Sequence, residues 1–143
     1  MPLDSPSASQ ISHVISQSAG PAFLLGAVSG FISVLVGRLE RILDRSRAVN
    51  ALPDDTPVHR ALKADLPRLQ ERARLINLAV SLAISSGIVT TLLIIVAFTS
   101  AFFELAHEKG VAVLFIIAVF LFAMALVQFL REIQISLRKS DHF

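Results

Sequence analysis

Polar and apolar positions along this chain are sorted into long blocks rather than alternating within each helical turn. Residues 20–37, 75–103 and 110–130 contain no Asp, Glu, Lys, Arg or His. At ~1.5 Å of rise per residue, each run matches the roughly 30 Å of a hydrocarbon core. A soluble helix breaks its apolar face with charge every few positions, and these runs do not. The pattern therefore predicts an all-α integral membrane protein whose three transmembrane helices are those runs.

Between the first two runs the pattern changes but stays helical. Leu35, Leu39, Ile42 and Leu43 share one apolar face, while Arg38, Glu40, Arg41, Asp44, Arg45 and Arg47 supply the other, so the first span is expected to run on past Gly37. Two prolines and the Asp54-Asp55 pair mark 50–57 as a turn, with Thr56 before Pro57 as the start of the return helix. On the return, Leu62, Leu66, Leu69, Ala73, Ile76, Val80 and Ala83 follow spacings of four and three, a seam that enters the second span in phase. Pro67 removes an amide donor within it and predicts a restart, capped by Asp65. Segment 38–74 is thus expected to be a helical hairpin built from extensions of the first and second spans. Ahead of residue 20, Ile11, Val14 and Ile15 share helical spacing behind Ser9. They read either as a short amphipathic surface helix within 1–19 or as an extension of the first span.

Charge gives the arrangement a direction. Segment 38–74 holds Arg38, Arg41, Arg45, Arg47, Arg60, Lys63, Arg68, Arg72 and Arg74, and segment 131–143 adds Arg131, Arg138 and Lys139. Residues 1–19 carry no Lys or Arg, and segment 104–109 carries only Lys109. The positive-inside rule then places the amino terminus and the 104–109 turn outside, and the hairpin and the 131–143 tail in the cytoplasm. An uncharged start of this kind is no secretory leader, so the first helix is expected to be retained. The net charge of +2 conceals this one-sided excess. Basic flanks are what membrane topology already demands, and they give no reason to expect a nucleic-acid partner.

Candidate chemistry is sparse. The absence of cysteine excludes disulfides, thiolate metal sites and a catalytic thiol. His107 and Glu108 are adjacent and would diverge on a helix, and His59 is separated from Asp55 by Pro57. His13 and His142 lie near the chain ends. No Gly-rich phosphate loop, nucleophile elbow or intramembrane carboxylate pair is present, so neither catalysis nor a cofactor or metal is expected.

Three groups of residues stand out instead. Ala22, Gly26, Gly30, Ser33 and Gly37 form a ridge of small residues on the first span, and Ala79, Ala83 and Gly87 a second one. Such ridges let helix backbones approach closely, within one subunit or between subunits. Asn77, Ser81, Ser85 and Thr90, with Ser86 and Thr91 nearby, make a polar face on the second span, either for packing or for lining a pore. Arg38, Arg41, Arg74, Arg131 and Glu132 gather at the inner ends of the spans, where Glu132 is expected to pair with Arg38, Arg41 or Arg74.

The stretches 20–25, 37–45, 72–77 and 131–138 resemble the bacterial membrane family known as domain of unknown function 2721, over about 11–138. That resemblance implies a small multi-pass protein of the bacterial inner membrane and supplies no activity. A looser, topological similarity links the chain to the ring-forming proton-channel subunits that energise outer-membrane transport, although it lacks their larger cytoplasmic domain and an obvious proton-carrying carboxylate. The expected partners are membrane lipid and other copies of the same chain, in a non-enzymatic homo-oligomer. An oligomeric ion channel and an accessory subunit of a larger membrane complex are the alternatives.

Overall fold

The computed structural model of the chain describes residues 6–103, 105 and 108–140. Four helices follow in order: α1 (Pro6–Asn50), α2 (Pro57–Lys63), α3 (Leu66–Phe102) and α4 (Glu108–Ser140). No strand occurs among the described residues. The helices α1, α3 and α4 are each long and apolar enough to cross a membrane.

Helix boundaries fall where the local chemistry changes. At the start of α2, Thr56 has extended backbone (φ −131°, ψ 152°) and its Oγ1 accepts the His59 amide at 3.1 Å, while Pro57 occupies the first turn. A break at Ala64 and Asp65 separates α2 from α3, with Pro67 in the opening turn of α3, where its missing N–H costs nothing. Of the two readings of the amino-terminal segment, the extension holds: helix α1 begins at Pro6, so Ser9 lies inside it, and residues 11–19 belong to the same helix as the first apolar run. Helix α4 does not stop at Leu130 but carries the 131–140 segment as helix.

Buried positions recur at seven-residue intervals along α1, at Pro21, Val28, Leu35, Ile42 and Val49. Along α3 they alternate by threes and fours through Ile76, Ala79, Ala83, Ser86, Thr90, Leu93 and Ala97. On α4 the same spacing joins Ala118, Ala125, Gln128 and Glu132. A 3.5-residue repeat of this kind is a packed helical seam. Of the seam expected on the return helix, Leu69, Ile76 and Ala83 are buried, while Leu62, Leu66, Ala73 and Val80 are partly exposed.

The chain divides into two compact units, one of Met1–Phe31 with Ala83–Ala123 and one of Ile32–Leu82 with Met124–Phe143. In the first, Ser86 Oγ donates to the Ala118 carbonyl at 2.7 Å, and Thr90 Oγ1 donates to the Ser86 carbonyl at 2.7 Å. These two buried hydroxyls thereby have partners, whereas Ser18 Oγ is buried with none among the described residues. Phe31 and Phe122 meet edge to face at 5.5 Å, and Val28 Cγ1 lies 3.7 Å from the place a Cβ on Gly87 would take. In the second unit the core combines Leu35, Ile42 and Val49 of α1 with Leu69, Leu75, Ile76 and Ala79 of α3, and with Ala125, Gln128 and Glu132 of α4. Large apolar side chains such as Ile88, Ile95, Ile116 and Phe120 stay exposed, which is compatible with helices lying in a membrane.

Candidate functional site

Glu132 is the most constrained charge in the second unit. It occupies the α4 seam after Ala125 and Gln128, and the spacing that buries those residues buries its carboxylate completely. Arg38 sits three residues after the seam position Leu35, and Arg72 three after Leu69, so both flank the seams that face this carboxylate. Arg72 Nε donates to Glu132 Oε1 at 2.8 Å, and Arg38 Nε donates to Oε2. The Arg38 guanidinium also lies over the Phe129 ring, 5.7 Å from its centroid.

The exposures of these side chains form a gradient of 0% for Glu132, 16% for Arg72 and 30% for Arg38. A lone carboxylate at zero exposure would be severely destabilising, and two cations sharing its two oxygens offset that cost. The triad as a whole carries one positive charge. One turn before Glu132, Gln128 is 7% exposed, and its Oε1 is buried with no hydrogen-bond partner among the described residues. Arg68 fastens the start of α3 to the end of α4, donating from Nη1 to Asp65 at 3.3 Å and from Nη2 to the Ile135 carbonyl at 3.0 Å.

Only part of the expected inner-face cluster assembles. Glu132 does bond Arg38, but its second partner is Arg72, which lay outside the expected set. Arg41 and Arg131 are exposed, and Arg74 turns to Glu71 on its own helix, with bonds of 3.1 and 2.8 Å at the surface. The signal for Arg72 was present, since it stands on the Leu69 and Ile76 side of α3 whereas Arg74 stands off it. His59 corrects a second expectation: Nδ1 lies 3.0 Å from Asp55 Oδ1 and 3.0 Å from the Pro53 carbonyl. Both neighbours are acceptors, so Nδ1 carries the hydrogen. Pro57 does not prevent the pair because Asp55 reaches back from the turn before α2.

The two small-residue ridges part company. On α3, Ala79 and Ala83 are fully buried and Gly87 is partly so. On α1, Ala22, Gly26, Gly30 and Ser33 are exposed, and a methyl group added at Gly26, Gly30 or Gly37 would meet nothing within 4 Å. Among the described residues, packing within the chain therefore does not explain the α1 ridge. The polar face also splits: Asn77 and Ser81 are exposed, Ser85 is half-buried, and Thr90 is buried against Ser86. In the first unit, a cleft of about 560 Å³ is lined by His13, Gln17, Pro21, Leu93 and Phe115 among others, with His13 the one titratable group among its described residues. Among the described residues no three His, Asp or Glu side chains group as a metal site. His107 and His142, and the Glu108 side chain, lie outside the described residues.

Chemically, both Glu132 oxygens already accept guanidinium hydrogens, so the carboxylate is not presented as a free base. What the triad does offer is helix-to-helix anchoring and a net cationic surface. The class is that of all-α proteins, here with three helices long and apolar enough to cross a membrane. Residues 18–142 match the family described as "Protein of unknown function (DUF2721)", and the chain belongs to that family. No curated protein and no solved structure matches the chain.

Proposed function

We propose that the protein is a non-enzymatic, multi-pass constituent of the bacterial inner membrane that works as a homo-oligomer. In this reading the amino terminus is outside and the arginine-rich 38–74 and 131–143 segments are cytoplasmic, following the one-sided distribution of Lys and Arg. The observation that supports association is the α1 ridge: Ala22, Gly26, Gly30 and Ser33 remain exposed, with open space above the glycines. In lipid, helices gain by close backbone approach rather than by hiding apolar surface, and this face is shaped for it. Mass measurement in lipid nanodiscs or mild detergent tests it. An oligomer that G26L/G30L reduces to monomer, without loss of helix content, is expected. A wild-type chain that is monomeric at low detergent would refute it.

A channel is the second reading, favoured by Asn77 and Ser81, which face outward from α3 within or beside an apolar run. An outward amide in lipid needs a partner, and several copies could place these groups around a wet axis. Thr90 does not join them. Conductance across planar bilayers containing verified oligomer tests this reading, and current no greater than that of an empty bilayer at all salts and voltages refutes it.

A further inference from the structure

We propose that Arg38 and Arg72, held in place by Glu132, form a binding site for the phosphate of a membrane phospholipid. The inference rests on the membrane-embedded reading above and adds a ligand and its contacts. Of the five N–H donors on each guanidinium, only the one on Nε is used, and both are spent on Glu132. No acceptor among the described residues takes an Nη hydrogen from either arginine. Neither arginine has a fully buried nitrogen left unpartnered, so the free Nη groups can be reached from outside.

Two guanidinia fixed to the two oxygens of one carboxylate are necessarily neighbours. Planar forks of this kind match phosphate oxygens in both spacing and direction. The charge also balances, since the triad carries +1 and a phosphodiester carries −1. Glu132 is the positioning residue: by taking each Nε it fixes the guanidinium planes and leaves the Nη edges for the ligand. Phe129 adds a stacking surface beneath Arg38.

The location selects a lipid over a free ion. Arg38 follows the first apolar run directly, Arg72 stands three residues before the second, and Glu132 two after the third. Phosphates of a bilayer occupy that boundary. In the same unit Val34, Leu78, Val127 and Leu130 are exposed, giving acyl chains an apolar wall.

Native mass spectrometry of the full chain released from maltoside micelles tests the site, with phosphatidylglycerol and inorganic phosphate as separate probes. Bound phosphatidylglycerol is expected, with affinity falling about tenfold in R38K and in R72K, which keep the charge but lose the fork. R45K, altered at an exposed arginine outside the triad, should bind as the wild type does. Wild-type affinity in R38K and R72K, or an equal loss in R45K, overturns the proposal, as does binding of inorganic phosphate without lipid. Should either triad variant lose its helical circular dichroism, the wild-type chain decides alone through its arginine Nε–H resonances. Those of Arg38 and Arg72 should shift on adding phosphatidylglycerol, and unchanged resonances overturn the site. Recovery of the chain from the soluble fraction would refute membrane embedding and this site together; a membrane-embedded chain that binds no lipid refutes the site alone.

Discussion

Replacing Glu132 with alanine leaves two guanidinium groups converging on a vacated acceptor inside the second unit. Removing one member of a buried ion pair costs about 3–5 kcal/mol, mostly because the remaining charge is stranded. Here the carboxylate is fully buried, but Arg38 retains 30% exposure and Arg72 16%, so both cations can turn partly toward polar surroundings. That places the expected loss for E132A near the lower end, about 3 kcal/mol. Alanine's high helix propensity returns only a few tenths of a kcal/mol. The triple change R38M/R72M/E132L supplies the control, because it replaces the triad with apolar side chains of similar length and strands no charge. It should recover most of the loss, as well-packed apolar replacements of buried ion pairs do. Reversible unfolding in mixed micelles, followed by circular dichroism along an SDS titration, measures all three proteins. An E132A protein within about 0.5 kcal/mol of wild type would refute the assignment of Glu132 as a buried, doubly paired group. So would a triple variant as unstable as E132A.

Three further outcomes follow from single hydrogen bonds. Ser86→Val should cost roughly 0.6–1.7 kcal/mol in the same titration, because it removes the bond from α3 to the Ala118 carbonyl of α4. Thr90→Val should cost less, since that hydroxyl bonds a carbonyl of its own helix. Thr56→Ala should destabilise α2 by about 1 kcal/mol, read as faster amide exchange at His59, whereas Thr56→Ser should keep the wild-type rate.

Much of the secondary structure was legible because its causes are local. Charge-free runs longer than a soluble helix tolerates mark helices long and apolar enough to cross a membrane, and Thr56-Pro57 and Pro67 mark helix starts through missing or capped amides. The return-helix seam was partly legible for the same reason, in that a spacing of three and four can be counted. That Glu132 would pair with an arginine followed from asking which nearby cation could accompany a carboxylate at the end of an apolar helix, but of Arg38, Arg41 and Arg74 only Arg38 bonds it.

Which face of each helix turns inward was not settled by composition. On α1 the small-residue ridge was the stripe that stood out, and packing instead buried the seven-residue series Pro21, Val28, Leu35, Ile42 and Val49. On α3 the small stripe of Ala79 and Ala83 won instead. Small residues permit close approach without requiring it, so the same composition lies inside one helix and outside another. Arg72 and Arg74 were equally plausible partners for Glu132 on charge alone. Two residues of helical rotation, about 200°, separate a guanidinium that reaches the buried carboxylate from one that pairs at the surface. The chain by itself determined its apolar runs, its helix breaks and the one-sided placement of its arginines, all properties of neighbours in sequence. The tertiary structure decided the rotation of each helix about its axis, and with it the triad and the exposed ridge, because rotation is set by what packs across the seams.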